Sequence, residues 1–402
     1  MSPKGMIILL SHEYPPYVFG GVATYSKQVA EWFASNGWKV YVLAGKTSFA
    51  NRISIERKSE ALTIIRVYFP EIPPRWVYYS ILTKEVLERI LNKEGSPKVV
   101  ISNSPLTWLN LNKIDKKNTL VTSVYHNSIY YLLVFFQLTP REDIGRISLE
   151  ELVYYNEAPL INYLYKKDLM ISDLCVFVAK HVYEEFEHLY GRLMKTSNCF
   201  KVSVYPGIEY DYLLKLRQEH KRAGKEKNII AYIGRLYYTK GVVHAVRTIE
   251  HLVKEEREKD IELWVFGRGP LKPWLNHYIK TRRLTGNIKY FEFIERSLLL
   301  SILARYVDVL LHPSLYEGAP LAIMESQALG IPSVTFDLPW AREFVVNGFN
   351  GYRATYPRIE SLAKCVMKST ELQRENITAF THRYDLNKSF QTLEDAMHKL
   401  LK

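Results

Sequence analysis

Three cysteines in 402 residues, Cys175, Cys199 and Cys365, are too few and too scattered for a disulfide scaffold or a zinc site. They form no Cys-x-x-C pair, and their odd number and apolar neighbours fit reduced core thiols in a cytoplasmic chain. No apolar run approaches the roughly 20 residues that span a bilayer. The longest, Ile129 to Leu138, is broken by Gln137, and Met6 to Leu10 is too short for a signal-peptide core and reads as a first buried strand. No Asp-x-Asp pair offers a metal site, and neither a short repeat nor a low-complexity segment occurs. Glutamine is sparse, six residues in all, whereas Lys, Glu and Arg are plentiful, the bias of thermophilic proteins. Negative charge is in deficit: 54 Lys and Arg against 42 Asp and Glu give +12 and favour anionic partners. The excess is spread, 24 against 19 (net +5) up to residue 205 and 30 against 23 (net +7) beyond it, so no dedicated nucleic-acid domain is indicated.

What is present is alternation. At 402 residues the chain exceeds one usual core, and its 47% hydrophobic content is that of a globular protein, so two domains are expected. Strands are expected at 6–11, 38–45, 62–69, 98–102, 119–124, 174–178 and 200–204, with helices from Gly21 to about Ser35, at 76–93 and through 142–168. Pro206-Gly207 closes this half, and Leu216 to Lys227 reads as a solvated helix end and connector. A second alternation follows, with strands at 228–233, 261–266, 288–292, 307–311 and 332–335, and helices at 240–256, 270–282, 297–305, 320–329 and 340–346. Such a pattern specifies mostly parallel sheets covered on both faces, two Rossmann-like domains of doubly wound α/β type. Leu386 to Leu401 is a last amphipathic segment.

The chain is organised around Asp308 to Gly330, DVLLHPSLYEGAPLAIMESQALG, which reads as a buried strand, a turn and a helix opened by Pro320. Glu317 then lies in the turn and Glu325 about two turns into the helix, on the order of 12 Å apart, comparable with a diphosphate and its flanking hydroxyls. Between them a helix N-terminus favours an anion. Arg235 and Lys240, in YIGRLYYTKG, stand five residues apart in a strand-to-helix loop, where two fixed cations would stabilise a departing diphosphate. Gly20-Gly21 after strand 6–11, His126 after strand 119–124, Arg235 and Glu317 all follow strand ends, where open α/β sheets bind ligands, so one shared cleft is expected.

These motifs resemble the family 4 retaining glycosyltransferases of GT-B fold, a superfamily that includes glycogen synthase-like and mannosyltransferase-like enzymes, and the resemblance extends over the whole chain. It implies two Rossmann-like domains facing a central cleft: an acceptor domain at 1–205, a nucleotide-sugar domain at 206–385, and a C-terminal helix at 386–402 crossing back to the first. The family's Gly-Arg followed by Lys-Gly matches Gly234, Arg235, Lys240 and Gly241, implying that Arg235 and Lys240 bind diphosphate. Glu317 resembles the Glu addressing donor-sugar hydroxyls, and Glu325 the one accepting from ribose. Gly318, Ala319 and Leu321 would bring backbone N–H groups to the donor, and His126 in VYHNS resembles the His near sugar and acceptor. Glu209-x-Asp211 aligns with the family's Pro-x-Gly-x-Asp segment. The chain departs from the family pattern at Phe293-Ile294-Glu295-Arg296, at Arg268 of the Gly-x-Gly-Pro segment, at Pro339-Trp340 before Glu343 and at Ala179.

The implied activity is transfer of a hexose-type sugar from a nucleoside diphosphate sugar to an acceptor hydroxyl, with retention, without cofactor or metal. The acceptor would be a glycan, a lipid-linked molecule or a small molecule. A rival is a catalytically silent protein of the same fold that binds nucleotide sugar or glycan. Trp76, Tyr78 and Tyr79 beside Arg75 and Lys84, and Tyr130, Tyr131, Leu132, Leu133, Phe135 and Phe136 after His126, would suit peripheral contact with the inner face of a membrane, or alternatively form core.

Overall fold

Continuous apolar runs such as MIILLS and KVYVLAGK leave no polar face for solvent, so they are stable only where helices cover both sides of a sheet. The computed structural model describes residues 3–401 apart from 19, 47, 49–51, 71–74, 104–107, 112–113, 221–226 and 293; the side chains of 75–76, 108–109 and 134–135 also lie outside this description. The expectations resting on Phe293, on 221–226 and on the side chains of Arg75, Trp76 and Phe135 therefore fall outside the described residues. Two compact units result. Unit 1 comprises Met1–Tyr130, Asn156–Gly207 and Asn387–Lys402, and unit 2 comprises Tyr131–Tyr155 and Ile208–Leu386. The segment Tyr131–Tyr155 thus packs with unit 2 although it lies within the span 1–205.

Unit 1 is built on eight strands: β1 (Met6–Ser11), β2 (Lys39–Lys46), β3 (Ile53–Arg57), β4 (Leu62–Tyr68), β5 (Val99–Ser102), β6 (Leu120–Tyr125), β7 (Leu174–Phe177) and β8 (Phe200–Ser203). Their order is β3-β4-β2-β1-β5-β6-β7-β8, parallel except for the antiparallel edge strand β3. Alternate residues fill opposite layers. Ile8, Leu10, Leu43, Val100 and Val121 pack with Val86, Leu87 and Ile90 of the helix Arg75–Glu94, each buried aliphatic side chain contributing roughly 1.5–3 kcal/mol. The helix Gly21–Ser35 ends as its sequence requires: Gly37 takes φ +88°, the Trp38 N–H reaches Phe33 O and the Gly37 N–H reaches Ala34 O, with the Phe33 and Trp38 rings in contact. The last helix, Leu386–Leu400, buries Phe390, Leu393 and Met397. Trp38 Nε1 donates to its Glu394 at 2.6 Å, and Trp32 Nε1 to Asn387 at 3.0 Å.

Unit 2 has an all-parallel sheet of β9 (Asn228–Ile233), β10 (Ile261–Phe266), β11 (Ile288–Phe291), β12 (Val309–Leu311), β13 (Ser333–Phe336) and β14 (Gly351–Ala354), in the order β11-β10-β9-β12-β13-β14. Apart from the β3–β4 edge pair, the chain switches to the other side of its first strand between β1 and β5 in unit 1 and between β9 and β12 in unit 2. In open α/β sheets such a switch point is where a ligand-binding crevice opens.

Two expectations need correction, and two elements had not been expected. Cys175 and Cys199 are not thiols but a disulfide, with sulfurs 2.13 Å apart, and only Cys365 is free. They stand on β7 and just before its neighbour β8, so adjacent strands bring together residues 24 apart in sequence. The bond removes reduced thiols as a ground for expecting a cytoplasmic chain. The helical stretch 142–168 is a 3₁₀ turn, Arg141–Arg146, and two helices, Leu149–Asn156 and Ala158–Ile171, the second opened by Pro159, which cannot donate within a helix interior. Strand β3 and the helix Lys180–Thr196 were not legible as elements: β3 alternates half-buried with exposed residues at an edge, and the helix follows β7 without a capping side chain.

Candidate active site

In unit 2 the site residues converge on the crevice between β9 and β12. The loop after β9 carries Gly234, Arg235 and Lys240, and the loop after β12 carries Glu317, Gly318 and Ala319. The two loops are laced by backbone. The Leu315 N–H donates to Thr239 O at 2.8 Å, and Ser314 Oγ reaches the same carbonyl. Gly241 has φ +79°, and a Cβ there would lie 2.1 Å from Pro313 O, so only glycine lets the loops approach this closely. Beneath them the buried Tyr232 hydroxyl stands 2.9 Å from Arg235 O and 3.2 Å from Lys240 O, bracing both ends of the cationic loop.

Lys240 Nζ donates to Glu317 Oε1 at 2.7 Å, and His312 Nε2 stands 3.0 Å from the same oxygen. Burial alone would push the Glu317 carboxyl up, but the Lys240 ammonium and the His312 ring outweigh it and hold the carboxyl well below the usual range. Glu317 is therefore ionised, a fixed acceptor for hydroxyls. Arg235 is half-buried, with its guanidinium over the Tyr237 ring, 4.9 Å from the centroid. Pro320 precedes the helix Leu321–Ala328 and its carbonyl takes the N–H groups of Ile323 and Met324. The N–H groups of Gly318, Ala319 and Leu321 have no acceptor among the described residues, leaving donors at a helix mouth flanked by two cations.

Glu325 is the fifth residue of this helix, one turn in rather than two. Arg296 binds its Oε1 through Nε at 3.1 Å and Nη2 at 2.6 Å, while Nη1 donates to Glu209 at 2.8 Å. Three residues of the site's support were missed in the sequence. His312 read only as part of the turn after the strand 307–311 and Arg296 only as a departure. Glu151 accepts from both Thr239 N–H (3.0 Å) and Thr239 Oγ (2.8 Å), tying the segment Tyr131–Tyr155 to the cationic loop. Nearby, the fully buried Asp143 takes two bonds from Arg247, both at 2.8 Å, and one from Tyr238 at 3.0 Å. No local spacing could show these pairs, which span 88 to 104 residues.

In unit 1, Gly20, Gly21 and His126 follow β1 and β6. The Gly20 N–H, at the mouth of the helix Gly21–Ser35, donates to Glu13 Oε2 at 3.0 Å, so this helix end already holds a carboxylate. A Cβ on Gly20 would meet nothing within 4 Å, so packing does not demand glycine there. His126 Nε2 stands 2.6 Å from Asn103 Oδ1, and its ring meets Tyr25 edge-on at 5.0 Å. Burial, with the neighbouring His12, pushes His126 down to about 3, so the ring is neutral at working pH. Among the described residues, no group of three or more His, Cys, Asp or Glu side chains is arranged to hold a metal.

Residues 19–196 match Glycosyltransferase Family 4, and residues 215–377 match Glycosyl transferases group 1. An uncharacterised glycosyltransferase of Methanocaldococcus jannaschii is 22% identical over 353 residues, 86% of this chain and 84% of that protein. The sucrose-phosphate synthase of Thermosynechococcus elongatus has a TM-score of 0.77 at 16% identity, with 99% of each chain covered. Anabaena Alr3699/HepE in complex with UDP-glucose has a TM-score of 0.68 at 15% identity, covering 98% of this chain and all of that one. The structural likenesses give the fold, GT-B, and the sequence matches give the kind of enzyme. The chain belongs to the family 4 glycosyltransferases of GT-B fold.

Proposed function

We propose that this glycosyltransferase moves a hexose-type sugar from a nucleoside diphosphate sugar to an acceptor hydroxyl, with retention of anomeric configuration and without metal. The observation that carries the reading is the Lys240–Glu317 pair at the β9/β12 crevice, beside the donor N–H groups of Gly318, Ala319 and Leu321. A diphosphate gains negative charge as it leaves. Arg235, Lys240 and the helix mouth stabilise that charge most in the transition state, which is where stabilisation accelerates transfer. Glu317 accepts hydroxyls of the donor sugar and Glu325 those of ribose. In unit 1, His126 meets a hydroxyl of sugar or acceptor, and Gly20 and Gly21 line the helix end. The binding of UDP-glucose by Anabaena HepE supports the donor class.

Turnover of a panel of labelled nucleoside diphosphate sugars, with water or added glycans as acceptor, tests the reading; absence of turnover and of binding across the panel would sink it. Because two cations flank the diphosphate, activity is expected to survive EDTA. Loss on chelation with recovery on Mn²⁺ would overturn the metal-free mechanism. No helix among the described residues is long and apolar enough to cross a membrane. We place the enzyme in the cytoplasm, in peripheral contact with anionic lipid, because Leu160, Tyr163 and Met170 project from the helix Ala158–Ile171 beside the exposed Lys166.

A further inference from the structure

Behind His126 lies a buried chain of polar side chains that the reaction does not use directly. Ser11 Oγ donates to Glu13 O at 2.7 Å. Ser26 Oγ stands 2.8 Å from Ser11 Oγ, and the Asn103 side-chain amide 2.5 Å from Ser26 Oγ. The other end of that amide stands 2.6 Å from His126 Nε2. Ser11, Ser26 and Asn103 are all fully buried, so water does not compensate for a misplaced proton.

Proton counting fixes the direction of the chain. A backbone carbonyl only accepts, so the single Ser11 hydroxyl proton points at Glu13 O. The contact between the serines then needs the Ser26 proton, and Ser26 has none left for Asn103. The amide must therefore present its NH₂ to Ser26 and its oxygen to His126. With the amide turned over, Ser26 would donate to Asn103, and the two serine oxygens would face each other at 2.8 Å with no proton between them. The Val22 carbonyl, 2.7 Å from Ser26 Oγ, competes with Ser11 for the Ser26 proton; in either case Ser26 has none left for Asn103, and with the amide turned over both of these acceptors would lose it.

We infer that Asn103 is a positioning residue: anchored through Ser26 and Ser11 on the Glu13 carbonyl, it fixes His126 as the Nε2–H tautomer and leaves Nδ1 as the acceptor for a substrate hydroxyl. A neutral imidazole has one donor and one acceptor nitrogen, so settling one settles the other. Among the described residues Nδ1 has no hydrogen-bond partner, and it is not sealed from solvent. The His126 ring faces Tyr25 and His12, and neither supplies a carboxylate that would hold it protonated. The second half of the inference rests on the reading above that His126 meets substrate; the first half does not.

The test separates the two. In full-length protein labelled with ¹⁵N-histidine, His126 signals are identified by their loss in His126→Asn. Nε2 is expected in the protonated range and Nδ1 in the unprotonated range. In Ser26→Ala and Asn103→Leu the two shifts should move towards each other as tautomers mix. A protonated Nδ1 in the parent protein, or unchanged shifts in both variants, overturns the role of Asn103. For the substrate contact, an asparagine amide reaches the place of Nδ1 and a glutamine amide that of Nε2. His126→Asn should therefore keep about tenfold more kcat/KM than His126→Gln, the worth of one neutral hydrogen bond. The reverse order, or full turnover by His126→Ala, overturns the acceptor role of Nδ1 whatever the spectra show.

Discussion

Lys240 and Glu317 hold each other and, in the proposed reaction, also hold the two ends of the donor's reacting bond. Lys240→Met takes from Glu317 its ammonium partner, in a setting where breaking a buried pair costs about 3–5 kcal/mol. Turnover should fall at least a hundredfold, with a lower melting temperature, whereas Arg235→Ala should lose turnover and nucleoside diphosphate affinity with little loss of stability. Titration calorimetry and thermal unfolding on both variants check this. Wild-type affinity in Arg235→Ala would remove it from the diphosphate site. The carboxyl of Glu317 is depressed below its unfolded value of 4.5, so its ionised form stabilises the fold fully above that pH, and this contribution drains away as pH falls through the native value. Glu317→Gln should therefore show a flatter decline of stability below pH 4.5 than the parent, measured as urea midpoints against pH. The residue types of the site were legible in the sequence because they sit in short motifs on two loops. Their partners were not. His312 lies only five residues from Glu317 but inside an apparent strand end, and Arg296 reaches Glu325 across 29 residues, a distance that only the fold closes.

At the scale of elements, the segment Tyr131–Tyr155 acts as a brace on unit 2's cationic loop. Its Glu151 caps Thr239, its Glu150 accepts from the Tyr237 hydroxyl, and its Asp143 neutralises Arg247. Glu151→Ala removes both bonds to Thr239, the residue next to Lys240, and should raise the donor KM about ten- to a hundredfold through misplacement of that loop. Glu151→Gln keeps the acceptor oxygen and should recover most of the loss. A donor KM unchanged from the parent in both variants would show that the loop holds its own shape. Most strand positions were legible, because continuous apolar runs recur in order between helical segments. The brace was not: a helical pattern over 142–168 predicts local structure, and nothing local tells which body a helix will pack against. The same limit applies to Cys175 and Cys199, whose pairing depends on β7 and β8 being neighbours.

For the whole molecule, the proposed membrane contact would set a net charge of +12 and the outward apolar side chains of the helix Ala158–Ile171 against an anionic surface. Ile129 and Leu132 turned out buried, while Leu133 and Phe136 are exposed, so the aromatic run after His126 divides between core and surface. Co-sedimentation with vesicles containing anionic lipid is expected at low salt and should weaken as salt screens the contact. Protein wholly in the supernatant at low salt would rule it out. The division of the chain bears on synthesis as well. Trp32 and Trp38 of unit 1 precede the whole of unit 2 in the chain, yet they find their indole acceptors on Asn387 and Glu394, which follow it. A ribosome therefore releases the first unit unfinished, and the whole of unit 2 can fold while an apolar flank of its predecessor waits uncovered. A chain ending at Leu386 should emerge with an intact second unit and an aggregation-prone first one, read as a split unfolding transition and dye binding to exposed apolar surface.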